Sequence, residues 1–250
     1  MKLSACVEML FVPETGDVAD RIRLAKAAGF DAVEFRDLSQ IKDALDETGI
    51  ALAGIVAEPF AELTRPTDHD RFLAGLEKSR DVALSLGTKI LICQSGPLLE
   101  GIDRSAQVAA LTLAMDRSAE VLKGSGIKLA LEPLNDRVDH PGYFLTDTSE
   151  AIKIIRDVNR SEIGLTYDLY HSMVMGEDPE VVMVGNIDTI AHLHIADHPG
   201  RNQPGSGSMN LQRKLEWIHA EGYDGYVGLE FRPTASTDEA LTQMRQSLSL

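Results

Sequence analysis

Four side chains able to bind a cation or move a proton stand at or near the ends of apolar runs in the second half of the chain. Glu132 closes "KLALE" and is followed at once by Pro133. Asp168 closes "IGLTYD", His194 lies one residue inside the end of "IAHLHI", and Glu230 one residue inside the end of "YVGLEF". Each run reads as a buried strand, in which successive side chains point to opposite faces. With Leu129 and Leu131 on one face, Ala130 and Glu132 take the other. The same parity sets Thr166 and Asp168 against Ile163 and Leu165, His192 and His194 against Leu193 and Ile195, and Gly228 and Glu230 against Val227, Leu229 and Phe231. Singly, a strand-end carboxylate is more often a loop-facing charge or a helix cap, and a strand histidine a hydrogen-bonded core residue. Together, three carboxylates beside an imidazole repel strongly unless a cation sits among them. The set suits Mn²⁺ or Mg²⁺, with Co²⁺, Zn²⁺ or Fe²⁺ as further options. It has no thiolate and too few nitrogens for a structural zinc site. Three carboxylates and one divalent ion sum to about −1, so an anionic substrate needs a positive group nearby.

Other residues of the same end are candidates for substrate contact. His171 follows Asp168 by three residues in "YDLYHSM", where it can hydrogen-bond a substrate oxygen or orient a ligand. Arg201 lies in the turn-rich segment "ADHPGRNQPGSGSMN", which reads as a mobile loop. A guanidinium there can clamp a carboxylate or stabilise an enediolate oxygen. The "GSGSMN" part, just before a helix, has the composition of a phosphate cradle, a weak signal. Asn135, Arg137, His140 and Tyr143 in "PLNDRVDHPGYF" are candidate lid or specificity residues. Glu34, inward on the second strand, is a candidate hydrogen-bond partner of a ligand or substrate. Cys6, Glu8, Cys93 and Gln94 are expected on the opposite wall, and His192 one layer down as core packing. Glu58-Pro59 repeats the Glu-Pro pair of the fifth strand without neighbouring ligands and is set aside.

The elements that must hold these groups alternate from end to end. Strand-like segments cover Leu3–Leu10, Asp31–Phe35, Ala51–Val56, Lys89–Cys93, Lys128–Glu132, Ile163–Asp168, Ile190–Ile195 and Tyr226–Phe231. Between them lie segments of helical period, such as "DVADRIRLAKAAG", "DRFLAGLEKSRDVALSLG", "SAQVAALTLAMDRSAEVLKGSG", "TSEAIKIIRDVN" and "NLQRKLEWIHAEG", with "TDEALTQMRQSLSL" at the end. Gly29, Gly49, Gly87, Gly126 and Gly222 sit where helices should end, and Thr146, Asp147 and Thr148 offer N-caps. Eight strand–helix units in 250 residues predict an α/β fold, the closed (β/α)8 TIM barrel, as one domain over residues 1–250. The C-terminal strand ends of that barrel carry function, and there the four candidates fall. The first strand lacks the glycine-rich fingerprint of an open dinucleotide-binding sheet.

Composition narrows the partners. With 24 basic against 39 acidic side chains the net charge is −15, which argues against nucleic acid and against anionic membrane surfaces. No apolar run approaches the ~18 residues of a membrane span, and "MKLSACVEMLF" lacks a signal-peptide pattern, so a cytoplasmic location is expected. Cys6 and Cys93 read as free buried thiols. The sequence is compatible with a homo-oligomer and does not set its size.

The segments "LEPLNDRVDHPGYFLTDT", "GLTYDLYHSM", "HLHIADHPGRNQPGSGSMN" and "EGYDGYVGLEFRP" occur in this order over most of the second half, and "AAGFDAVEF" matches more loosely in the first. In them the chain resembles the hydroxypyruvate isomerase group of the xylose isomerase-like barrel superfamily. The resemblance implies a metal held by Glu132, Asp168, His194 and Glu230, with Glu132 and Glu230 as the catalytic acid/base pair. It implies that His171 and Arg201 contact substrate. The implied reaction is isomerisation of a small sugar or hydroxy-keto acid through an enediolate, hydroxypyruvate to tartronate semialdehyde or a 2-oxo-tetronate counterpart. Some members carry glutamine at the seventh-strand position. Histidine there is what the ketose epimerases of the superfamily carry, so a ketose 3-epimerase is the main alternative. A dehydratase is a lesser one. An apurinic endonuclease-like barrel is disfavoured by the acidic charge and by only 7 histidines, few of them at strand ends.

Overall fold

Parallel strands covered by helices are buried on both faces, so they read as nearly unbroken apolar runs. The computed structural model, which describes residues 1–35 and 41–250, places strands on those runs. Strands β1 (Lys2–Cys6), β2 (Ala32–Phe35), β3 (Ala51–Val56), β4 (Ile90–Gln94), β5 (Lys128–Glu132), β6 (Ile163–Asp168), β7 (Ile190–Ile195) and β8 (Tyr226–Leu229) neighbour one another in chain order. β8 pairs in parallel with β1, so the sheet is a closed parallel barrel, the TIM architecture. Its helices are α1 (Val18–Ala27), α2 (Lys42–Thr48), α3 (His69–Leu86), α4 (Arg104–Leu122), α5 (Thr148–Val158), α6 (Leu169–Val174), α7 (Pro179–Val182), α8 (Leu211–Ala220) and α9 (Thr237–Leu248). No described helix is long and apolar enough to cross a membrane.

By its internal contacts the chain forms two compact units, Met1–Gly54 with Leu193–Leu250, and Ile55–His192. In the first, β1 is flanked by β2 and β8, with Ser4 opposite Ala32 on one side and Gly228 on the other. β7 joins β8 with His194 opposite Gly228. In the second, β4, β5 and β6 run side by side, with Gln94 opposite Glu132 and Ala130 opposite Gly164. Helix α5 shows how the covering layer is specified. Asp147, rather than Thr146 or Thr148, caps it by accepting the Glu150 N–H at 2.8 Å. Ala151, Ile152, Ile154, Ile155 and Val158 form its buried stripe, and Asn159 ends it in the left-handed conformation. Each buried isoleucine contributes about 1.5–3 kcal/mol relative to exposure. Gly49 and Gly87 are themselves left-handed C-caps, at φ 60° and 77°, where a Cβ would be strained.

Strand bounds differ from the sequence reading at β1, β2, β4 and β8, most of all at the ends of β1 and β8. The apolar run through Leu10 is expected to be strand, yet β1 stops at Cys6. The amides of Met9 and Leu10 both bond the Cys6 carbonyl and close a turn. Val7 and Leu10 are still fully buried, so the run reflects burial rather than extended backbone. β8 ends at Leu229, one residue before Glu230, although the Glu230 amide still bonds the Ile195 carbonyl. Helices α6 and α7, of six and four residues, are too short to show a period in the sequence.

Candidate active site

In the unit Ile55–His192 the site residues sit on β4, β5, β6 and the segments that follow them. Pro133 leaves Glu132 as the last residue of β5, buried, with the Gln94 amide donating to its Oε2 at 2.7 Å. Gln94, expected on the far wall, is thus a direct neighbour of Glu132. Asp168 ends β6 and also caps α6. Its Oδ1 accepts the N–H groups of Tyr170 (2.7 Å) and His171 (3.2 Å). Its Oδ2 lies 3.5 Å from Nε2 of His171. The Asn135 backbone N–H donates to Nδ1 of His171 at 3.1 Å. A backbone amide can only donate, so Nδ1 carries the lone pair and Nε2 the proton, on the edge facing Asp168.

Asn135 is completely buried. Its Oδ1 accepts the amides of Val138 and Asp139, and its Nδ2 donates to Asp139 Oδ2 at 2.7 Å. The Tyr170 hydroxyl reaches the same Oδ2 at 2.8 Å. Asn135 is thus a direct neighbour of His171. Arg137 is tied to the Val174 carbonyl, and the His140 ring packs against His171 and Tyr143.

In the other unit, β2, β7 and β8 supply the remaining candidates. His194 is buried, with Nε2 2.8 Å from Oε2 of Glu34 and Nδ1 3.4 Å from Oε2 of Glu230. Glu34, also buried, accepts the Ser4 hydroxyl on Oε1 at 2.6 Å. Arg201 donates to Oε2 of Glu230 at 2.8 Å, a largely buried pair. Arg201 itself is left-handed, at φ 53°, and its carbonyl takes the Arg232 amide. His192, the last residue of the unit Ile55–His192, is buried, as the core reading expects.

The loop after β7 contains the residue that sequence reasoning missed. Asp197, with no exposed surface, accepts four backbone amides. His198 and Met209 bond its Oδ1, and Gly205 and Gly207 its Oδ2, all at 2.9–3.0 Å. A segment whose composition reads as mobile is thereby laced around one carboxylate. The phosphate-cradle reading of "GSGSMN" is corrected by the same bonds, since the amides of Gly205, Gly207 and Met209 point at Asp197. The available signal was an acidic residue two positions past the strand, ahead of the Pro-Gly pairs.

One ligand atom from each of Glu132, Asp168, His194 and Glu230 lies within 4.8 Å of the others. Glu34, His192 and His194 form a second such group, which shares His194. The chemistry of the four-residue set fits a divalent cation. Three carboxylates and an imidazole offer hard oxygens and one borderline nitrogen, and desolvated carboxylates this close are costly without a positive centre. The two cysteines are free and buried. Burial, followed by the Glu230 and Glu34 charges, pushes the Cys6 thiol up. Burial, followed by Glu132, does the same to Cys93. Both are inert neighbours rather than nucleophiles.

The family model described as "Xylose isomerase-like TIM barrel" matches residues 22–248. The chain belongs to this family. Among relatives of this xylose isomerase-like barrel is the hydroxypyruvate isomerase of Escherichia coli (strain K12), 31% identical over 258 residues and covering 98% of each chain. The 2-oxo-tetronate isomerase of Cupriavidus necator is 28% identical over 92% of each chain. A solved structure described as an AP endonuclease, family 2, from Brucella melitensis superposes with a TM-score of 0.89 at 27% identity over 98% of each chain.

Proposed function

We propose that the protein is a metal-dependent isomerase of small hydroxy-keto acids acting through an enediolate, with hydroxypyruvate to tartronate semialdehyde as its first reaction and a 2-oxo-tetronate as the close alternative. The ring of Glu132, Asp168, His194 and Glu230 carries this reading. The near full-length likeness to two isomerases supports it. These four residues would hold the cation, Mn²⁺ or Mg²⁺ before Co²⁺ or Zn²⁺. When bound, it supplies Lewis-acid polarisation of the substrate oxygens and so acidifies the neighbouring C–H.

The chain's own residues do the rest. One of Glu132 and Glu230 takes a proton from C3 of hydroxypyruvate. The C–H electron pair forms the C2–C3 double bond, and the carbonyl pair moves to O2. The O3 proton passes to O2, C3 becomes the aldehyde, and C2 receives a proton from the glutamate pair. A positioned acid–base group contributes about 10²–10⁴-fold. Gln94 and Arg201 each hold one oxygen of their glutamate, which restricts its rotamers. Arg201 also offsets the substrate carboxylate, and Nε2–H of His171 donates to a substrate oxygen. His194 favours one second reading, a ketose 3-epimerase, in which the proton returns to the same carbon from the other face.

Proton NMR in D₂O, with Mn²⁺ supplied, tests both. Hydroxypyruvate should yield tartronate semialdehyde deuterated at C2, whereas a 3-epimerase returns a ketose deuterated at C3. Loss of turnover in EDTA and recovery with Mn²⁺ is expected. Wild-type turnover in both Glu132→Gln and Glu230→Gln would rule out the two-glutamate mechanism.

A further inference from the structure

The Glu34 carboxylate contacts His194, one of the four candidate metal ligands. Gly228 has two register partners, Ser4 on β1 and His194 on β7. A Cβ on Gly228 would lie 2.3 Å from Oε1 of Glu34 and 2.5 Å from Cδ2 of His194. The missing side chain therefore opens a slot between Ser4 and His194, and the Glu34 carboxylate fills it. One oxygen takes the Ser4 hydroxyl at 2.6 Å and the other meets Nε2 of His194 at 2.8 Å. A carboxylate oxygen accepts, so this contact puts a hydrogen on Nε2. That leaves Nδ1, on the ring edge 3.4 Å from Glu230, as the nitrogen whose lone pair can be given to a cation.

We propose that Glu34 is a positioning residue that fixes the ring plane and tautomer of His194, presenting Nδ1 to the metal, and that Gly228 is glycine because this contact needs its space. A carboxylate behind a ligating imidazole both aims it and makes it a better donor. The role rests on the metal centre proposed above. It assigns Glu34 to metal affinity rather than to substrate recognition.

The test is calorimetric titration of metal-free protein with Mn²⁺, alongside the KM of the turnover assay. Glu34→Ala should weaken Mn²⁺ binding by about 10–100-fold. Glu34→Gln, whose amide oxygen can still accept from Nε2, should recover most of the loss. Gly228→Ala, which keeps the carboxylate but removes its space, should weaken Mn²⁺ binding as Glu34→Ala does. Wild-type Mn²⁺ affinity in Glu34→Ala with a raised KM would overturn the proposal and make Glu34 a substrate contact. A wild-type protein that binds no Mn²⁺ would instead overturn the metal reading, and this role with it. Should the variants fail to fold, long-range ¹H–¹⁵N NMR of the metal-free wild type decides. Nε2–H at His194 supports the assignment, and a ring with Nδ1–H and a bare Nε2 overturns it.

Discussion

Replacing Asp197 by asparagine is the sharpest probe of how the loop bearing Arg201 is held. The aspartate takes four amides, two on each oxygen, at 2.9–3.0 Å. Asparagine keeps one oxygen and turns an NH₂ toward the other two donors, whichever way the amide is rotated. A hydrogen bond to a charged acceptor contributes about 1.5–3 kcal/mol, so losing two would cost about 3–6 kcal/mol in a dry site. Gly205 and Gly207 are exposed and can turn their amides to water, which lowers the expected cost to roughly 2–4 kcal/mol. At 1.4 kcal/mol per factor of ten, amide exchange at Gly205, Gly207 and Met209 should quicken by about 30- to 700-fold. The loss should be local, with kcat/KM falling because Arg201 rides on the loop, while exchange in β4, β5 and β6 stays slow. Gly207→Ala should act alike by another route. Its Cβ would sit 2.3 Å from the His198 carbonyl oxygen and 2.6 Å from Oδ1 of Asp197. Unchanged protection at all three amides in Asp197→Asn would refute the assignment of Asp197 as the clasp.

Other outcomes follow from single contacts. Buried Cys6 and Cys93 should give no reaction with an aromatic disulfide reagent at pH 8 in the folded protein and two equivalents in guanidinium, measured by absorbance. Asp147→Ala should destabilise α5 by about 1 kcal/mol, read from the denaturant midpoint, because the exposed cap loses its bond to Glu150. Gly75→Ala would gain up to about 1 kcal/mol of helix propensity. The new Cβ, however, would lie 2.1 Å from Cδ of Pro59 and 2.3 Å from the Glu58 carbonyl oxygen, so the melting temperature should fall.

Strand parity is a local property. For that reason Glu132, Asp168, His194 and Glu230 could be read onto one face from Leu129, Leu165, Leu193 and Leu229 alone, and the eight-strand alternation followed from hydrophobic period. What escaped the sequence depends on register between strands and on loops folding back. Gln94 meets Glu132 because β4 and β5 align those two residues. Asn135 meets His171 from 36 residues away. Glu34 meets His194 across 160 residues, through a gap left by a glycine on a third strand. The clasp at Asp197 escaped because glycine and proline content reports backbone freedom, not which acceptor the freed amides find.

Asp168 is held at once by its strand and by the first turn of α6, and this has a consequence for side-chain length around the ring. Its Oδ1 must reach amides only two and three residues ahead, a span that suits the short caps Asp, Asn, Ser and Thr. Glu132 is followed by a proline and Glu230 by Phe231–Arg232–Pro233, and no helix begins at either. The longer acid stands where the backbone makes no demand on it, and the shorter one where a helix starts without a linker. A redesign seeking a longer reach from the sixth strand would first have to detach α6 from the strand end, and in doing so would carry His171 away with it.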